Sequence, residues 1–269
     1  MKHLIYIFLI TVMCSSCQDV IDIDVPTSEP KLVIDASINW IKGTSGNGQV
    51  IKLTLTAPYF EPDIPPANDA DVFITDENDI IYSFIEDGTT GNYLNSNFVP
   101  ALNKVYNLTI VYDNETYKAT ETLLAVPDFD YIEQDLEAGF TGKDTEIKAY
   151  FTDPIGEENY YLLEFKPSLP VNSTMSVLQD KFVNGNQIFG YYLEEDLIVN
   201  ETVIITNYAV SKRFYEFMFI LLQQTGGGGP FETQPATVRG NCINVTNQTN
   251  YPLGYFRLSE VAETTYTIQ

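Results

Sequence analysis

From residue 31 onward the chain alternates apolar and polar positions with a period of two, the signature of half-buried β-strands. LVIDASINW at 32–40 opens the pattern. VIKLTLTAPYF at 50–60 continues it, with Val50, Lys52, Thr54 and Thr56 on one side and Ile51, Leu53 and Leu55 on the other. A Pro-rich loop, EPDIPPAND, follows at 61–69. Residues 70–88 hold two further strands around the turn-forming run Asp76, Glu77, Asn78 and Asp79. GNYL, KVYNLTIVY and ETYKATETLL complete the set, the last two joined by Asp113 and Asn114, which tolerate positive φ. Short strands at 8–12-residue spacing without a helix predict an immunoglobulin-like β-sandwich over residues 31–126, one lacking the Cys…Trp…Cys core of antibody domains.

Pro127 stops the last of these strands and marks a boundary. The second region, 127–269, keeps β-like runs at 145–153, 159–169, 187–193 and 197–208. The period then changes. In SKRFYEFMFILLQQ, residues 211–224, Phe214, Phe217, Met218, Leu221 and Leu222 fall at helical spacing behind Ser211, a potential N-cap. Four glycines at 226–229 end this helix, so they cannot hold phosphate at a helix N-terminus. The tail is strand-like again, at 238–247, 253–261 and 265–269. No repeat of fixed period is visible. The fold expected is mainly β: an N-terminal immunoglobulin-like sandwich followed by a second β-rich domain, with one amphipathic helix packed on its sheet.

The N-terminus departs from this pattern. Residues 1–17 read MKHLIYIFLITVMCSSC: a positive start, ten largely apolar residues, then two serines before Cys17. The apolar run falls short of the roughly 20 residues a membrane-spanning helix needs. It fits a signal peptide over 1–16, with lipid attached to Cys17 and a polar, Pro-containing tether over 17–30. A plain secretory signal with incidental cysteines is the alternative, and Cys14 stands where an aliphatic residue is usual in a lipoprotein signal.

Removal of 1–16 changes what the composition permits. The 269-residue precursor carries 14 Lys+Arg, 37 Asp+Glu and a formal charge of −23. Without Lys2 and His3, 13 basic residues face 37 acidic ones, the charge is −24, and no histidine remains. Such a chain repels nucleic acid and is a poor electrostatic membrane binder. Histidine-dependent triads and zinc sites are excluded. With Cys17 acylated, Cys242 is the one free thiol, too few for an intramolecular disulfide. Its alternating surroundings, VRGNCINV, suit a small buried hydrophobe.

Little remains that carries chemistry. Glu157/Glu158 and Glu194/Glu195 are carboxylate pairs of the kind a glycoside hydrolase needs, but they read as solvated surface. Asp69/Asp71 and the run from Asp76 to Asp79 offer oxygens to calcium, yet no complete calcium loop exists, and neither a metal nor a cofactor is expected. Trp40, beside the 43–48 turn, and Tyr59 and Phe60, beside the Pro-rich loop, are the aromatic candidates for ligand or partner contact.

TGGGGPFETQPATVRGNCINVTN followed by YPLGYFRLSEV resembles the C-terminal signature of a family of Bacteroidota outer-membrane lipoproteins, domain of unknown function 4249. The match falls on residues 227–231, 235–243 and 253–256, and LVIDASI, ADVFITDENDI and LNKVYNLTIVYDNETYKATETLLAVP also resemble the family. The resemblance implies a lipid-anchored outer-membrane protein, often encoded beside TonB-dependent receptors, with no established catalytic residues. The expected function is a non-enzymatic binding or assembly module accessory to such a receptor. A surface protein capturing glycan or peptide is the alternative, and a carboxylate-based hydrolase a third reading. Asp19 soon after Cys17 favours the cell surface over the periplasmic face.

Overall fold

A computed structural model describes residues 28–140, 142–168, 173–195, 197–225 and 237–269. The signal peptide, Cys17, most of the tether and the glycine-rich part of the C-terminal signature lie outside the described residues.

The first sandwich is built from β1 (Leu32–Ile41), β2 (Gln49–Leu55), β3 (Asp71–Thr75), β4 (Ile81–Glu86), β5 (Asn92–Asn95), β6 (Val105–Tyr112) and β7 (Glu115–Thr122). Its alternation is that of the sequence: Ile34, Ala36, Ile38, Ile51 and Leu53 are fully buried, and Val50 is exposed. One sheet has the order β1-β2-β5 and the other β4-β3-β6-β7. β4 belongs to both, since Ile81 to Phe84 pair with β3 while Ile85 and Glu86 pair with β5. This is the strand order of an immunoglobulin-like sandwich. β2 stops at Leu55 instead of continuing to residue 60, because Pro58 has no N–H for the ladder.

The second region comprises β8 (Phe129–Ala138), β9 (Asp144–Thr152), β10 (Tyr160–Pro167), β11 (Thr174–Gln179), β12 (Gln187–Glu194), β13 (Thr202–Ala209), the helix α1 (Lys212–Thr225), β14 (Ile243–Asn244) and β15 (Leu253–Thr267). A three-stranded sheet, β8-β9-β12, faces β11-β10-β13-β15 across a core that includes Phe151, Tyr161, Phe165, Tyr192 and Ile205. With β14 set aside, the first, second and fifth strands face the fourth, third, sixth and seventh, as in the first sandwich. The topology is therefore duplicated, although no sequence repeat announces it. The helix is an insertion between the sixth and seventh strands. Ser211 caps it, its Oγ accepting from Phe214 N at 3.3 Å. Phe214 and Met218 pack on Leu162, Val210 and Tyr255, outside the second core.

The two sandwiches share β15. Its first part runs parallel to β1, from Val33 opposite Leu253 to Ile41 opposite Val261. Its later part runs antiparallel to β13, from Tyr208 opposite Val261 to Thr202 opposite Thr267. At roughly 3.3 Å per residue such a strand reaches about 50 Å, enough to traverse both cores. On its even-numbered face Phe256 and Leu258 enter the first core, while Ala262 and Ile268, beyond its end, enter the second. Residues 240–258 thus depart from the linear division at 126–127, because Cys242, Phe256 and Leu258 complete the first sandwich. Of the strand-like run at 238–247, only Ile243 and Asn244 pair, and they extend the first sandwich at β7.

Polar side chains fasten these returns. The Glu115 carboxylate accepts hydrogen bonds from Tyr117, Asn244, Asn247 and Asn250, tying the 244–250 loop to β7. Between the sandwiches, Glu260 Oε2 accepts from Val126 N at 2.9 Å, and Glu260 N donates to Leu124 O. Lys42 Nζ meets Asp128 at 2.9 Å and Glu260 at 4.0 Å.

Two outcomes test this architecture. Glu260→Ala leaves the buried Val126 N–H without its acceptor and is expected to cost about 1–3 kcal/mol in denaturant unfolding. The hydrogen bonds to Glu115, that from Tyr117 foremost, hold its carboxyl below the ordinary value of 4.5. Their stabilisation is present above that value and lost as pH falls through and below it. The Tm gap between wild type and Glu115→Gln is therefore expected to be widest at neutral pH and to narrow in acid.

Candidate binding cleft

The parallel register of β1 and β15 places the residues just before each strand side by side. Lys31 precedes Val33 by two positions and Tyr251 precedes Leu253 by two. Lys31 Nζ sits 3.8 Å from the centre of the Tyr251 ring, and the Arg239 guanidinium carbon sits 3.7 Å from the same centre. Two cations this close to one centre occupy the ring's two faces. Each gains from the negative face of the aromatic quadrupole.

Arg239 is delivered by its neighbours. Asn241 Nδ2 donates to Phe256 O at 2.7 Å and its Oδ1 accepts from Phe256 N at 2.9 Å, imitating a ladder pair with β15. At Gly240 even a methyl group would fall within 1.7 Å of Gly254 O, so no other residue fits this approach.

The cleft beside Lys31 has a volume of about 650 Å³. Lys31, Pro58, Tyr59, Phe60, Glu61 and Tyr251 shape it, and Ser28, where the described chain begins, lies on its wall. Tyr59 is 86% exposed and Phe60 71%, their rings edge to face at 5.1 Å. Thr237 also lines an adjoining cavity of about 300 Å³, together with Arg213, Arg239 and Phe217.

Trp40 is not part of this site. β1 and β2 are antiparallel, so Lys31 lies at the Tyr59 end of the sheet and Trp40 at the other. The indole is half-buried against the first core and donates to Thr44 O at 3.1 Å, with Gly46 pressed on its ring. Sequence reasoning found Tyr59 and Phe60 but missed Lys31, Arg239 and Tyr251. The β1–β15 register brings Lys31 to Tyr251, the Asn241–Phe256 bonds bring Arg239, and no local motif encodes either.

The acidic candidates have structural surroundings. Asp76 Oδ1 accepts from Asn78 N at 2.8 Å and Ile80 N at 3.0 Å, bonds of a tight turn that, led by the one from Ile80, lower its pKa. Glu77 pairs with Lys104 at 2.9 Å. Glu157 and Glu158 are exposed, as is Glu195, with Glu194 half-exposed beside it. Among the described residues no group of three or more His, Cys, Asp or Glu is close enough to hold a metal. Burial raises the pKa of Glu121, which accepts from Ser211 Oγ at 2.9 Å and so joins β7 to the helix N-cap. Burial also pushes the Cys242 thiol up to about 12. Cys242 is therefore expected to resist a thiol reagent in the native protein at pH 8 and to react fully once unfolded in guanidinium, as a colorimetric titration would show.

Among the described residues no helix is long and apolar enough to cross a membrane. The family model that matches, over residues 18–265, carries the description Domain of unknown function (DUF4249). No curated protein matches the chain. A two fibronectin type-III domain segment from chicken tenascin is 10% identical, covers 67% of this chain and 90% of its own, and has a TM-score of 0.22. A DUF4785 family protein from Legionella pneumophila is 9% identical, with 66% of this chain and 52% of that one covered and a TM-score of 0.26. A cytokine receptor complex is 8% identical over 68% of this chain and 86% of that chain, at a TM-score of 0.25. The strand order within each sandwich, and not these global superpositions, defines the fold.

Proposed function

The chain belongs to the DUF4249 family, and on that premise we propose that it is a lipid-anchored, non-enzymatic binding module on the outer face of a bacterial outer membrane, accessory to a TonB-dependent receptor. The observation that carries this reading is the position of the cleft. Ser28 lines it, so the N-terminal tether enters beside the exposed Tyr59 and Phe60. The eleven residue steps from Cys17 to Ser28 reach at most roughly 35–40 Å, which keeps the cleft near the membrane that holds the lipid. Confinement at a surface raises effective concentration and gives a modest interface useful occupancy. Exposed aromatics in a concave site suit contact with a ligand or partner.

The resemblance to outer-membrane lipoproteins supports the location, and the lipoprotein-like signal supports Cys17 as its anchor. The buried surroundings of Cys242 and the hydrogen bond that Glu121 accepts from the capping Ser211 support structural duties for the two groups that chemistry would otherwise draw on. Labelling of growing cells with a palmitate analogue is expected to tag the wild type and not Cys17→Ser. Pull-down of the lipidated protein from detergent-solubilised outer membrane is expected to co-purify a TonB-dependent receptor. Recovery as a monomer free of any receptor overturns the partnership, and an unlabelled wild type overturns the anchor.

A further inference from the structure

We propose that the open edge of β12 pairs with β12 of a second copy of this chain, antiparallel about a two-fold axis at Gly190, so that two three-stranded sheets become one of six. This goes beyond the receptor reading and does not depend on it. Three features point to the same occupant. The first is the edge itself. β12 ends the sheet β12-β9-β8, and among the described residues no strand pairs with its outer side. In an antiparallel ladder alternate residues turn their N–H and C=O away from the strand they pair with. A row of main-chain donors and acceptors is therefore free along β12, and an extended polypeptide is the ligand that satisfies such a row.

The second feature is what this edge lacks. Proteins blunt open edges with charges, prolines, bulges or very short strands. β8, the other edge of the same sheet, has two register shifts and carries Glu133, Asp135 and Glu137. β14, at one end of the larger sheet, is two residues long. β12 instead pairs with β9 from Gln187 to Glu194 without a shift. Gln187 to Leu193 reads QIFGYYL, free of charge and of proline in a chain of 37 acids and 14 bases. β11 (TMSVLQ), the edge of the facing sheet, lies against β12 and is uncharged as well. At this rim two strongly acidic copies can meet without like charges in the seam.

The third feature is self-complementarity. A two-fold axis at Gly190 overlaps the whole uncharged run: Gln187 faces Leu193 of the second copy, Phe189 faces Tyr191, and Asn186 faces Glu194. On the outer face of the sheet Phe189, Tyr191 and Leu193 are 39%, 57% and 40% exposed. Phe189 lies 5.0 Å from Tyr150, which stacks on Tyr131 at 4.5 Å. The pairing carries this row of rings across to Tyr191 of the second copy, and aromatic cross-strand pairs stabilise a ladder.

The test uses the full mature chain, residues 17–269, carrying Cys17→Ser to keep it soluble, with reductant present so that Cys242 cannot cross-link. Sedimentation velocity from about 5 to 200 µM is expected to show wild type passing from monomer to dimer. Gln187→Glu with Leu193→Glu sets like charges opposite each other twice and is expected to weaken the dimer about tenfold. Gln187→Lys with Leu193→Lys is expected to do the same alone, and an equimolar mixture of the acidic and basic variants to recover the dimer. Leu136→Glu, at an exposed position on the β8 edge, is expected to leave it unchanged. Variants that keep the wild-type Tm separate lost pairing from lost folding. A wild type that stays monomeric at every concentration, a dimer indifferent to both charge pairs, or a mixture no better than its components overturns the proposal. A monomer that takes up a strand of a different protein at this edge rejects the second copy as its occupant.

Discussion

β1 and β15 pair in parallel, and on that ladder both sandwiches depend. It joins the β1-β2-β5 sheet of the first to the β11-β10-β13-β15 sheet of the second, so that a single sheet of twelve strands runs through the molecule. Parallel neighbours need a crossover, and here the crossover is nearly the whole chain. Because side chains alternate, the even-numbered residues of β15 can serve the first core at Phe256 and the second at Ala262 without changing face. A junction of this kind is unlike two beads on a linker. Main-chain hydrogen bonds cross it continuously, and Glu260 and Lys42 brace the 124–128 segment where it passes beside the ladder.

The odd-numbered face of the same strand carries a second dependency. Arg257 is buried, donates to Ser259 Oγ at 2.5 Å, and stacks 4.7 Å from the Tyr208 ring and 5.3 Å from that of Phe214. Burial lowers its pKa, and the aromatic faces partly replace lost hydration. The helix therefore docks on a guanidinium as well as on apolar side chains. A buried charge of this sort tolerates few alternative arrangements of its neighbours, which ties the helix to its place over β13 and β15.

Much of the architecture is legible in the sequence, and the limits have physical causes. β1, β2, β6 and β7 each bury alternate residues, so their period is clean. The helix is legible because five apolar residues fall at helical spacing behind a serine cap. β11 is not legible: Thr174 to Gln179 is an edge strand with no fully buried residue, so its pattern never alternates. The second immunoglobulin-like order is hidden for another reason, since the same order arises from different residues and its last strand is displaced by the helix and β14. Of the cleft, Tyr59 and Phe60 are legible as aromatics beside a proline loop. Lys31, Arg239 and Tyr251 are not, because Lys31 reaches the other two only through a register between positions more than two hundred residues apart.

That separation shapes how the molecule is made. Contacts between distant positions form slowly, since loop-closure entropy must be spent before they return any stability. The first sandwich lacks Phe256, Leu258 and β14 until the C-terminal part of the chain exists. A growing or partly delivered chain therefore has no complete N-terminal domain to lock into, and stays pliable until its last strand arrives. Truncation near the C-terminus removes the seam of both sandwiches at once, so the folding unit is the whole chain.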